Sequence, residues 1–411
     1  MSLADPVHDV AVVGLGPSGL AAALALAHVG ANVAAIGPAP LPASASGLET
    51  RTAALLASSV DLLRALEVWE ALAPHAAPLK AIRIIDASRS LIRAPEIEFQ
   101  ASELGLPAFG YNIANTVLVE TLHARAEQVL ASVIAGSVAQ ISVEGDRAIL
   151  SLSDAGRLDA RLVAGADGRN SICRKSAGIA ATEQSAQQSA IAASFAHARP
   201  HEDVSIELHQ EGGSVTSVPL PDPKASSLIW VGPASEIDGL MRFDDAGFGA
   251  ALAQRLGGVL GAVSNPGPRA AFRVAGLIAD RLGAARTVLV GEAAHILPPI
   301  GAQGLNLGLR DAAALADCVA EALRAGHDPG AEEVVEAYQH ARKLDVMTRS
   351  FGADLLSRSL LTSLPPLQAA RGLFMQGLSA LPLLRRAVMR VGLAPPGELP
   401  SLMRPDARQR P

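Results

Sequence analysis

From Val10 to Leu48 the chain contains no Asp, Glu, Lys or Arg, and Gly14, Gly16, Pro17 and Gly19 interrupt that apolar run. No other feature narrows the fold as much. A charge-free segment must be buried in protein or in lipid, but the interruptions leave only Leu20 to Val29 as continuous helix, too short for ~30 Å of hydrocarbon. No basic segment precedes it, so it is not read as a signal peptide. What remains is a buried strand, turn, helix and strand. Val10 to Val13 is the first strand, Gly14-Leu15-Gly16-Pro17-Ser18-Gly19 a GxGxxG loop, Leu20 to His28 an alanine-rich helix ended by Gly30, and Asn32 to Ile36 the second strand. The first glycine permits the tight turn, the second lets backbone approach a pyrophosphate, and the third lets the helix sit close on the strand, which marks a dinucleotide site. A carboxylate is expected at the end of the second strand to hold ribose hydroxyls. This chain has Gly37-Pro38 there.

Two later strand ends carry a similar corner. Thr287 to Val290 is a short β-branched run followed by Gly291, Glu292, Ala293 and Ala294, small residues that admit another molecule to the backbone and leave one carboxylate beside it. Pro298 and Pro299 stiffen the next segment, and Gly301 and Gly304 are expected to bracket a turn that opens a helix, whose free N–H groups attract negative charge. Leu305, Leu309, Ala312, Ala316, Val319 and Leu323 give that helix one buried face. His295, after two alanines, reads first as a structural residue and second as a general base. Upstream, Arg157 to Gly165 is a strand ending in Asp167-Gly168, which on residue types alone is a turn.

Between these corners, Arg51 to Leu66 is expected to be helical, with Arg51 at a start where its charge opposes the helix dipole and calls for a specific partner. A Pro/Ala/Ser loop from Leu41 to Gly47 precedes it. Residues 80–99 alternate as strands, Asn115 caps a helix to about Leu130, and Val138 to Leu152 is a hairpin. Spaced strands between Ser189 and Arg273, with turns at Gly212-Gly213 and Pro221 to Pro223, predict an antiparallel sheet. The expected division is a nucleotide-binding domain from residues 1–80, 111–188 and 276–330, a substrate domain from 81–110 and 189–275, and a helical region over 331–411, broken at Pro365-Pro366 and Pro382. With 411 residues, 49% hydrophobic, 18% charged and net charge -6, the chain reads as a folded, mildly acidic protein and not as a nucleic-acid binder. Cys173 and Cys318 stand far apart without a metal-binding spacing, which points to no metal site, no disulfide framework and a reducing cytoplasm.

The three corners in order resemble the FAD-dependent aromatic monooxygenases of the para-hydroxybenzoate hydroxylase type. GAQGLNLGLRDAAALADCV with Tyr338, Arg342 and Asp345, the tail LLRRAVMRVGLAPPGELPSL, and RTAALLASSVDLLRALEVW from Arg51 to Trp69 resemble their ubiquinone-biosynthesis hydroxylase branch. The resemblance implies an α/β fold, a Rossmann-like FAD-binding domain with an inserted antiparallel-sheet substrate domain and a helical C-terminal tail. It implies FAD held at Gly14, Gly16, Ser18, Gly19, Arg51, Asp167, Gly168, Gly291, Glu292, Gly301, Gln303, Gly304 and Asn306, with Pro298 and His295 nearest the chemistry. Glu292 stands where the family has aspartate, and Gly37 where a ribose carboxylate belongs; both bear on flavin affinity. The implied reaction is hydroxylation of a polyprenylated phenol by O2 through a flavin hydroperoxide, with NADH or NADPH as transient reductant. Leu355 to Pro396 has no acidic residue while Arg358, Arg371, Arg385, Arg386 and Arg390 punctuate leucine-rich helices, a composition suited either to the inner membrane face or to packing with solvated arginines. Two other readings remain: an FAD halogenase or prenyl reductase, against which the isolated Trp69 and Trp230 weigh, and a non-catalytic member of a quinone-biosynthesis complex.

Overall fold

A computed structural model describes residues 7–40, 51–87, 95–184, 188–210, 212–299, 301–361, 376–393 and 397–404. The loop at 41–47, Pro365-Pro366 and Arg371 lie outside them. The charge-free segment forms β1 (His8–Val13), α1 (Pro17–His28) and β2 (Val33–Gly37). Pro17 starts α1 because its fixed φ suits the first turn and its missing N–H has no partner to lose there. Gly30, at φ +92°, carries the chain out of the helix. β1 is the centre of a parallel sheet with β2 and β3 (Ser132–Ala135) on one side, and β4 (Arg157–Gly165) and β5 (Thr287–Leu289) on the other. Five parallel strands need covering on both faces. α1 is buried from Gly19 to Leu26, which an alanine-rich sequence permits by letting neighbouring backbone approach.

The helix expected from Arg51 begins only at Ala57. Thr52–Leu56 is a strand, paired antiparallel with Gly110–Ala114, and α2 is Ala57–Ala65. Asn115 is the first residue of α3 (Asn115–Val129) and not its cap; Ala114 holds that position and no side chain caps it. The substrate-side sheet joins Ala81–Asp86 and Ile97–Gln100 to Gln188–His197, Val204–Gln210, Gly213–Pro219 and Ala225–Pro233. The strands between Gln188 and Arg273 pair antiparallel with one another, as sequence predicts, and the whole sheet is mixed only because Val204–Gln210 also runs parallel to Ala81–Asp86. Its inner face buries Ile191, Phe195, Val215 and Trp230 against Phe248 and Leu252 of a helix at Asp245–Leu256. A polar seam joins the halves: Thr52 Oγ1 donates to Ser227 Oγ (2.9 Å), and Asn112 Nδ2 to the Pro219 carbonyl (2.8 Å).

α4 (Gln303–Arg324) lies beside α1 and is buried all round from Asn306 to Ala316, not on one face. α5 (Glu332–Leu361) covers its other side. α6 (Pro382–Leu393) starts at Pro382, and its Met389 packs with Ile97, Phe99 and Phe109 at the edge of the mixed sheet.

Candidate functional site

The ends of β2, β1, β4 and β5 emerge on one edge of the parallel sheet, and backbone hydrogen bonds tie each to the next. Gly14 N–H donates to the Ile36 carbonyl (2.7 Å), Ala166 N–H to Val13 (2.7 Å) and Val290 N–H to Gly165 (2.8 Å). The three corners therefore stand side by side. Glycine sets how closely they do so. A side-chain carbon on Gly14 (φ +116°) would lie 2.2 Å from the Ala166 oxygen, one on Gly19 2.0 Å from the Gly14 oxygen, and one on Gly291 (φ +61°) 2.9 Å from Ser18 Oγ. Gly14 and Gly291 pack corner against corner, and Gly19 packs the helix start onto its own loop. At Gly16, Gly168 and Gly304 the same carbon would meet nothing within 4 Å among the described residues. One set closes the cradle, and the other leaves bare backbone facing open space. Gly16 is also the N-cap of α1, where no side chain occupies the free N–H groups, so the helix end is open to a phosphate.

The third corner is held from behind. Gly291 N–H donates to Asp311 Oδ2 (2.9 Å), His295 Nε2 lies 2.6 Å from the same oxygen, and Arg342 Nε donates to Asp311 Oδ1 (2.7 Å). Arg342 Nη1 also lies 2.9 Å from Asp345 Oδ2, and the Tyr338 hydroxyl donates to the Leu289 carbonyl (2.7 Å). Burial pushes the Asp311 carboxyl up, but the charges of His295 and Arg342 and the hydrogen bonds from His295 and Gly291 outweigh it and hold it well below the usual carboxylate range. Glu292, between these buried neighbours, is exposed.

Residues 7–349 match a family described as FAD binding domain. The chain is 33% identical to the ubiquinone hydroxylase UbiL of Rhodospirillum rubrum, over 94% of this chain and 90% of that protein. It is 32% identical to the 3-demethoxyubiquinol 3-hydroxylase of Escherichia coli, over 94% and 98%. The chain belongs to the FAD-dependent monooxygenases, on their ubiquinone-hydroxylase branch. Among solved structures, PqsL, a probable FAD-dependent monooxygenase of Pseudomonas aeruginosa, matches with a TM-score of 0.73 at 21% identity, over 90% of this chain and all of that one. The p-nitrophenol 4-monooxygenase PnpA of Pseudomonas putida matches with 0.73 at 18%, over 93% and 96%. These two likenesses concern the fold.

The open glycines, the uncapped helix end and the exposed carboxylate of this monooxygenase fit a long phosphorylated cofactor. Other residues named from sequence have different positions. Asp167 is half-buried and turned onto the short helix Ile172–Ser176, accepting from Ser171 Oγ (2.6 Å) and from Ile172 N–H (2.6 Å). Asn306 accepts from Leu56 N–H and Ser59 Oγ and donates to the Ala54 and Ala302 carbonyls, so its side chain pins the start of α4 to α2 and leaves only backbone for a cofactor. Gly304 is the second residue of α4 and does not flank the turn; Gly301 (φ +63°) and Ala302 (φ +53°) make that turn. Gln303 donates to the Gly301 carbonyl, and its Oε1 is buried without a partner among the described residues. Pro298 lies partly buried just after His295. His295 is 1% exposed, with Nε2 2.6 Å from Asp311 Oδ2 and Nδ1 buried without a partner among the described residues. Arg51 precedes a strand and not a helix start, so no helix dipole opposes it; it is exposed, with its guanidinium 5.0 Å from the centre of the Phe272 ring.

Two residues escape sequence reasoning. Arg174, buried, donates to the Ala293 carbonyl (2.8 Å) and the Arg169 carbonyl (2.8 Å), tying the second corner to the third. Gly308 faces Ser18 across the α1 and α4 contact, where an added carbon would lie 2.4 Å from Ser18 Oγ. Its four-residue spacing from Gly304 is the one signal that could have found it.

Proposed function

We propose that this chain hydroxylates the aromatic ring of a polyprenylated phenol in ubiquinone biosynthesis, with FAD as cofactor, O2 as oxidant and NADH or NADPH as electron source. The observation that carries this reading is the end-to-end likeness to two ubiquinone hydroxylases, at 33% and 32% identity. Reduced FAD supplies the oxygen chemistry, and the chain supplies binding, orientation and shielding. The Gly14 to Gly19 loop and the start of α1 take the pyrophosphate. Exposed Glu292 takes the ribityl hydroxyls, and Asp167-Gly168 lines the corner between them. Pro298 and Pro299, with Gly301, Gln303 and the N-terminal end of α4, cover the ring, where the positive end of the helix favours negative charge on the reduced flavin. Arg51 stands at the substrate side, and His295 acts through Asp311 on the shape of the Gly291 corner.

A prenylated phenol dissolves in lipid, and α6 offers a face for that surface. Leu383 is 80% exposed and Val391 74%, with Arg386 and Arg390 exposed beside them. Buried Met389 and the Arg385 pair with Glu103 (2.7 Å) fix the helix to the sheet edge. Among the described residues no helix is long and apolar enough to cross a membrane, so contact would be peripheral. The same face is available to other proteins of a quinone-biosynthesis complex.

The test is product formation. FAD-loaded protein with NADH or NADPH and O2 is given a prenylated phenol in vesicles, and the phenol is weighed by mass spectrometry. A product heavier by one oxygen supports the reading. Reductant consumed with only hydrogen peroxide released, from every prenylated phenol offered, sinks it.

A further inference from the structure

Gly37 is buried at the end of β2, and the turn after β1 lies directly across it. The hydrogen bond from Gly14 N–H to the Ile36 carbonyl (2.7 Å) draws that turn onto the strand end. A side-chain carbon on Gly37 would lie 2.7 Å from the Leu15 nitrogen, 2.8 Å from Leu15 Cγ and 3.2 Å from Leu15 Cβ. Real side chains do not sit that close in a packed interior, so any larger residue at 37 requires the Leu15 turn to move. Leu15 is 5% exposed, with its side chain laid over the strand end. Gly37 thus differs from the rest of the cradle. It neither packs one corner on another nor opens onto ligand space. Yet β2 is the strand whose end presents an acidic side chain to ribose hydroxyls in a dinucleotide fold.

We propose that Leu15 and Gly37 are a coupled pair that closes this ribose position, so that FAD is held through its pyrophosphate and flavin ends while its adenosine ribose hydroxyls are not recognised. The pair is a specificity determinant. It removes a contact that favours FAD over flavins without adenosine, whichever phenol the enzyme hydroxylates.

The first test uses the wild-type apoprotein and an FAD analogue lacking the 2′-hydroxyl of the adenosine ribose, titrated by flavin fluorescence. The expected Kd lies within about threefold of that for FAD, whereas a hydroxyl held by a carboxylate is worth roughly tenfold or more. A weakening of tenfold or more overturns the proposal. The second test titrates Gly37→Glu, Leu15→Gly and the double variant with FAD and with FMN. Gly37→Glu alone is expected to lower the Tm of the apoprotein and weaken both flavins. The double variant is expected to bind FAD roughly tenfold more tightly than Leu15→Gly, at unchanged FMN affinity. A wild-type Tm for Gly37→Glu, or a double variant that gains nothing over Leu15→Gly, overturns it.

Discussion

One methyl group distinguishes the two kinds of glycine in this site. Gly14→Ala would force a carbon to 2.2 Å from the Ala166 oxygen at a φ of +116°, so the apoprotein is expected to lose about 3 kcal/mol or more in urea unfolding. Gly16→Ala meets nothing within 4 Å among the described residues, and its apoprotein should unfold within about 0.5 kcal/mol of wild type while its FAD affinity falls roughly tenfold, because the methyl enters the ligand's space. Equal loss of stability in the two variants would refute that division. The glycines themselves were legible, since spacing after an apolar run names them. Which of them face protein was not. The Leu15 and Gly37 contact and the two carbonyls gathered by Arg174 join residues that lie far apart in sequence.

α4 was visible from its periodicity, but its surroundings were not. A period of leucine and alanine predicts one buried face, and burial on all sides depends on α1 and α5 arriving from elsewhere. The strand Thr52–Leu56 was missed for a related reason: Ala-Ala-Leu-Leu runs smoothly into the α2 pattern, and only pairing with Gly110–Ala114 makes it extended. The buried charges behind Gly291 give a prediction at this scale. Arg310, Arg342 and Arg349 all lie within 4 Å of Asp345, so Asp311→Asn leaves three guanidinium groups facing that one carboxylate and should cost roughly 3–5 kcal/mol at pH 7. The Asp311 carboxyl is depressed in the folded state, so its contribution is complete above the ordinary value of about 3.9 and is lost as pH falls through the lower folded value. Urea unfolding at pH 7 and below pH 4 should therefore show the gap between variant and wild type narrowing in acid. A gap that stays constant would assign the cost to packing.

At the scale of the whole molecule, the proposed lipid contact rests on the exposed face of α6. Leu383→Ser with Val391→Ser removes the two most exposed apolar side chains of α6 without touching Met389 or Arg385, and should at least halve co-sedimentation with anionic vesicles at unchanged Tm. Undiminished sedimentation would move the contact away from α6. Composition pointed to this face because basic and apolar residues alternate there without acids. It could not show that Met389 anchors the helix to the mixed sheet.

The cradle draws on backbone from Gly14, Asp167 and Gly291, with Asp311, Tyr338 and Arg342 as its rear support, so most of the chain must be in place before a flavin can settle. Bound at a hundred times its Kd, FAD adds about 2.7 kcal/mol to that assembly. Yellow colour in a fraction is thus a report on the folded assembly of the polypeptide from its first strand to its fifth helix, and unfolding in urea should bleach it.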